Sequence, residues 1–142
     1  MIRHYLYMWL AFTVLFTSAS VGLEIMEGNK VTTTAYYGLR NLGIIYIIFT
    51  FIHGFIIYPL SFFPLSLLIN KLMRPWIIRM LIFIIVASLG AVWVFNQSFV
   101  FSGGSYIDVY ELNMYSSVII FGIAGLVYAL INEVLKSKTL GV

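Results

Sequence analysis

The sequence predicts an all-α integral membrane protein: a bundle of four transmembrane helices, with a short cytoplasmic interfacial helix and a small extracellular β-hairpin cap. Three observations carry this expectation. Of the 142 residues, 62% are hydrophobic and only 9% are charged, whereas soluble domains run near 45–50% apolar and about 25% charged. So few charges cannot cover a water-facing surface. The apolar residues fall into four runs of about 18–20 residues, and at about 1.5 Å per residue each matches the roughly 30 Å of a hydrocarbon core. Finally, the basic residues collect on one side of the spans so defined.

The first span is Leu6–Leu23, flanked by Arg3 and Glu24. Its tail, "TSASVG", also suits a signal peptide cut after Ser20, but the run is long enough to cross, and a retained helix is expected. An outer loop, 24–40, follows, with the β-branched and aromatic stretch "KVTTTAYY". The second span covers 41–58. From Asn41 to Asn70 is 30 residues, about 45 Å of helix, too long for an upright crossing. Pro59 lacks a backbone donor and disfavours helix at Tyr58. The expectation is therefore a break there and an elbow over about 60–75. In it "PLSLLINKLM" forms a short helix begun by Pro64, with Leu65, Leu68, Ile69 and Leu72 on one face, lying in the cytoplasmic interface. The competing reading is one long, tilted and kinked helix. The third span, 76–95, starts after Lys71, Arg74 and Pro75. In the outer loop 96–113, "SFVFSGGSYIDVY" places two β-rich runs around Gly103-Gly104, a hairpin signal, against an irregular loop with the third helix running on to Phe101. The fourth span is 114–131, before Asn132-Glu133. The whole chain, 1–142, reads as one membrane domain.

Four spans put both termini on one side. That side holds Arg3, Lys71, Arg74, Arg79, Lys136 and Lys138 against Glu133; the other holds Lys30 and Arg40 against Glu24, Glu27, Asp108 and Glu111. The positive-inside bias makes the basic side cytoplasmic, so a multi-pass plasma-membrane protein with N- and C-termini inside is expected.

The chemistry-bearing residues are few. The chain has no cysteine, which excludes disulfides, thiolate metal sites and thiol nucleophiles. His53 lies thirteen residues, about 19 Å, below Arg40, near the bilayer middle, and an intramembrane ionisable residue points to function. No acid lies at its depth, so no Ser–His–acid arrangement can be assembled; no catalytic residue, metal or cofactor is expected. Tyr46, Thr50 and His53 share one helix face, and Thr13, Thr17 and Ser20 form a matching stripe on span one. Counting along antiparallel spans puts Thr13 level with His53, Thr17 with Thr50 and Ser20 with Tyr46. This polar face reads either as helix glue, with a neutral histidine in interhelical hydrogen bonds, or as a proton or ion path on which His53 titrates. Small residues recur at helical spacing: Ser18/Gly22, Ala87/Ala91 and Gly125/Ala129, with Gly122 nearby. They let helix backbones approach within lipid.

The segment "YPLSFFPLSLLINKLMRPWIIRMLIFIIVASLGAVW" (58–93), with its "P-x-S-L-L-I" turn before a basic loop and a small-residue span, resembles small multi-span membrane proteins of unknown function from bacilli. The resemblance implies a Gram-positive plasma membrane and carries no site residues. Small four-span drug exporters place a glutamate inside their first span, and this first span has none. The role expected is non-enzymatic: a homo-oligomer or a membrane subunit bound to another membrane protein, engaged in sensing, anchoring or immunity-type partner binding. The partners are then the lipid bilayer and membrane proteins, not nucleic acid. The alternative is a small channel or transporter using the Tyr46/Thr50/His53 face.

Overall fold

The structure, a computed structural model, describes residues 2–140. Helix α1 (Ile2–Met26) runs without a proline and continues past the expected span to carry Glu24 into a buried position. A 3₁₀ turn (Gly28–Lys30) and an extended loop lead to the short α2 (Leu39–Leu42). Gly43, at φ 58°, then redirects the chain into α3 (Ile44–Ile57), a left-handed conformation that a side chain would strain. A π turn (Tyr58–Phe62) joins α3 to α4 (Phe63–Leu72). Pro75 caps the start of α5 (Trp76–Phe99), since its fixed φ suits a helix entry. Strands β1 (Val100–Phe101) and β2 (Gly104–Ser105) pair antiparallel, Val100 opposite Ser105. This places a small hairpin at the glycine pair, while 30–37 forms no strand. A single-turn α6 (Tyr106–Val109) precedes α7 (Met114–Leu140). Four stretches are long and apolar enough to cross a bilayer: Ile2–Lys30, Ile44–Leu72, Trp76–Phe99 and Met114–Lys138.

The expected break at Pro59 is corrected. Helical backbone runs from Ile44 to Leu72, and Tyr58 keeps right-handed helical angles (φ −55°, ψ −55°). The proline is absorbed by widening the turn: Phe63 N–H donates to the Tyr58 carbonyl five residues back. The carbonyl that Pro59 would have served belongs to Phe55, and the Trp9 indole N–H donates to it at 2.8 Å. Ser61 Oγ donates to the Ile57 carbonyl at 2.8 Å. Neighbouring side chains thus satisfy the freed backbone groups, which is what lets a membrane helix keep a proline.

Helix α7 packs most closely on α5, and α1 lies against both α7 and α3, whereas α3 hardly touches α5. The α5–α7 contact rests on a missing side chain. A Cβ on Gly125 would stand 2.5 Å from Ala87 Cβ and 2.9 Å from the Phe83 carbonyl oxygen. The small-residue positions therefore serve packing inside one chain. Gly22 meets Ile120 of α7, Gly122 faces Ser88, and Ala129 is buried. Ala91 is buried too, and its carbonyl accepts from Ser117 Oγ at 2.9 Å. Ser18 alone of the set is exposed. Two apolar clusters fill the bundle, one around Leu23, Phe95, Phe99 and Phe121, the other around Met8, Phe83 and Tyr128.

Candidate functional site

The two stripes expected to face each other do so one helical turn out of register. Phe16, not Thr13, stacks on the His53 ring (centroids 6.1 Å apart). Glu24, not Ser20, lies against Tyr46. The cause is the start of the second span. The count began at Asn41, but α2 and Gly43 form a separate turn, and the continuous helix begins three residues later at Ile44. The hydroxyls of the stripe also bond within their own helices. Thr13 donates to the Trp9 carbonyl (2.9 Å), Thr17 to Thr13 (2.8 Å) and Thr50 to Tyr46 (2.8 Å). Ser20 Oγ is buried without a partner among the described residues. The expected glue between Thr13 and His53 is therefore replaced by ring stacking. His53 itself is exposed on the outside of the bundle between Phe16 and Trp93, and it makes no hydrogen bond among the described residues.

Beside it, an apolar groove of about 530 Å³ opens where α3 and α5 part, lined by Phe12, Phe16, Ile57, Gly90, Trp93 and Phe121 among others.

A polar network that the sequence reading passed over joins α1, α4 and α7 at the end where the chain begins and finishes. His4 Nε2 lies 3.1 Å from Asn132 Oδ1. A carbonyl oxygen only accepts, so the imidazole proton sits on Nε2, and Nδ1 is left buried without a partner. Asn132 Nδ2 donates to Asn70 Oδ1 at 3.1 Å, and Lys136 Nζ donates to the same oxygen at 2.7 Å. Deeper, Tyr128 donates to Ser66 Oγ at 3.4 Å and sits 3.3 Å from the Tyr58 hydroxyl. At the rim Arg79 clamps Glu133 through Nε (2.8 Å) and Nη2 (2.6 Å) and caps the Met73 and Arg74 carbonyls. One signal was available in the chain: Ser66/Asn70 and Tyr128/Asn132/Lys136 repeat every fourth residue and so share a face. Ending the fourth span at Ile131 hid it.

The opposite end is built on carboxylates. Glu24 accepts from the Tyr36 hydroxyl and, at 3.3 Å, from the Leu39 N–H. A Cβ on Gly38 would come within 2.5 Å of the Glu24 carboxylate, so glycine is what lets the loop close over it. Burial, reinforced by the Glu24 charge, pushes the Tyr36 hydroxyl well above the usual tyrosine range. Glu27 accepts from Lys30 Nζ (2.8 Å), the Asn113 N–H (2.9 Å) and Ser116 Oγ (2.6 Å), tying the end of α1 to the start of α7. The first helix thus does carry a buried acid, near its C-terminal end, one residue beyond the span read from the sequence. Among the described residues no three histidines or acids gather as a metal site would require.

Compared with known proteins, the chain matches no family profile, no curated sequence and no solved structure.

Proposed function

We propose that this chain is a non-enzymatic membrane subunit that works by assembly, with copies meeting across the outer face of α3 beside the apolar groove. His53 carries the reading. It lies nine residues, about 14 Å, into the second spanning helix, exposed and unbonded among the described residues. Ionisable side chains at such depth nearly always turn inward or pair. A neutral imidazole is both donor and acceptor, so it can complement its own copy across a two-fold axis, as an isologous interface demands. Phe49 and Ile56 flank it on the same exposed face. Conduction along Tyr46, Thr50 and His53 has less support, because the threonines bond their own helix and the adjoining groove is apolar. The basic end is placed in the cytoplasm of a plasma membrane on the positive-inside bias.

The absence of cysteine makes the test direct. Single cysteines introduced as Phe49→Cys or Ile56→Cys should form disulfide-linked dimers in membranes, and Leu10→Cys or Ile123→Cys, exposed on other helices, should not. Adding His53→Ala should lower the α3 cross-link severalfold. Equal cross-linking at all four positions, or none at α3, would overturn self-assembly through this face.

A further inference from the structure

On the other side of the second spanning helix a separate groove of about 410 Å³ runs between the start of α1 and the π turn and α4. Its walls include Ile2, Tyr5, Trp9, Pro59, Phe63 and Leu67, and the surface turned into the groove is entirely apolar. Nothing in such a slot recognises a polar molecule, but it offers a hydrocarbon chain a continuous bed between two helices. The groove lies at the basic end of the bundle. Phe63 and Leu67 are four residues apart, and Lys71, four further on, continues the same stripe one turn beyond the walls. Arg3 follows Ile2 on α1, and Arg74 lies in the loop between α4 and α5. All three side chains are exposed, and none has an ion pair or side-chain hydrogen bond among the described residues. Among the described residues the one acidic side chain of this end, Glu133, is already held by Arg79.

From an apolar slot ending among unneutralised bases we infer an anionic-phospholipid site: one acyl chain lies between α1 and α4, and the headgroup phosphate is held by Lys71 and Arg3. The charge complementarity is what selects the occupant. A zwitterionic lipid would fill the slot equally well but would leave three cations facing its own choline or amine, whereas a net negative headgroup is attracted to each of them. This site is independent of the assembly face at His53.

Trp9 lines the groove and serves as its own reporter. In a Trp76→Phe/Trp93→Phe background, the only remaining tryptophan is Trp9. The protein is reconstituted in phosphatidylcholine vesicles containing brominated-chain phosphatidylglycerol or, at the same mole fraction, brominated-chain phosphatidylcholine. Bromine quenches an indole only on contact, so the ratio of half-quenching mole fractions reads the headgroup preference. Phosphatidylglycerol is expected to quench at the lower fraction. Lys71→Gln or Arg3→Gln should each cut that preference up to about 5-fold, the equivalent of about 1 kcal/mol per charge near the surface. Arg40→Gln, at the far end, should leave it unchanged. Helix content measured alongside shows that each variant folds. Equal quenching by the two lipids overturns the site, as does a preference that survives the Lys71→Gln/Arg3→Gln pair or falls equally in Arg40→Gln.

Discussion

Where α1 begins and α7 finishes, α1, α4 and α7 are joined mainly by uncharged groups, the His4 imidazole, the Asn70 and Asn132 amides, and the Ser66, Tyr58 and Tyr128 hydroxyls, with the charged contacts, Lys136 on Asn70 and Arg79 on Glu133, kept to the rim. At the opposite end the connecting atoms are carboxylate oxygens, and what they bind lies in the connecting segments or at the first turns after them: Tyr36, the start of α2 at Leu39, Asn113 and Ser116. The difference follows from what each end must satisfy. At the basic end the spans are directly adjacent, and side chains can reach from helix to helix. At the acidic end the chain leaves the long helices for connecting segments whose buried donors need acceptors, and a carboxylate supplies several lone pairs from one short side chain. Inside its charged rim, one end uses bonds of modest strength between preformed helices. The other uses stronger, charge-assisted bonds to order segments with little regular structure of their own.

Removing the carboxyl of Glu24 should therefore have the largest effect. Glu24→Ala leaves the Tyr36 hydroxyl and the Leu39 N–H facing a buried void, and a loss of about 3 kcal/mol is expected by denaturant unfolding in detergent. Glu24→Gln should recover only part of this. Its carbonyl can take the Tyr36 proton, but its amide then presents a donor to the Leu39 N–H. Hydrogen exchange should localise the damage to residues 31–43 in both variants. A loss confined to α4 and α7, or one no greater than that of the amide network, would break the comparison between the two ends.

Asn132→Leu probes the neutral end. At roughly 0.6 kcal/mol per interhelical hydrogen bond, loss of the His4 and Asn70 contacts should cost about 1 kcal/mol. Asn70→Leu should behave alike. The double variant should cost less than the sum of the singles, because the two amides bond each other. Strict additivity would mean that the pair contributes no shared bond.

Much of the architecture was legible because four helices long and apolar enough to cross a bilayer leave a plain hydropathy signal. Length, hydropathy and the grouping of bases define four spans without any knowledge of packing, and the Gly103-Gly104 pair marked the hairpin. What stayed hidden was anything that depends on a neighbour. The penalty of Pro59 reads as a helix end until Trp9, fifty residues earlier in the chain, is seen donating to the Phe55 carbonyl. The facing of the His53 stripe toward α1 was legible, but the identity of its neighbour depended on the hinge at Gly43. The role of His4 was hidden because Asn132, its partner, lies at the far end of the sequence. Glu24 looked like a flanking charge because a loop that folds back over a helix end leaves no periodic trace.

The smallest expected effect concerns Tyr36, and it separates burial from simple hydrogen bonding at the acidic end. The folded protein holds the Tyr36 proton above the ordinary value of 10.0, through burial first and the Glu24 charge second. The unfolded chain releases that proton near pH 10. Above that pH the native state binds more protons than the unfolded state, so stability falls as pH rises. The Tyr36 contribution is fully present below pH 10 and is lost at about 1.4 kcal/mol per pH unit above it. Tyr36→Phe removes the titrating group. Its stability should sit lower by about 1 kcal/mol near pH 8, from the lost hydrogen bond to Glu24, and should then decline less steeply than the parent between about pH 10 and 11. The two curves should converge as the pH climbs. Curves that stay parallel throughout would show that the Tyr36 hydroxyl ionises in the native protein as readily as in the unfolded chain, and that the Glu24 carboxylate is not enclosed by its loop in the way the geometry describes.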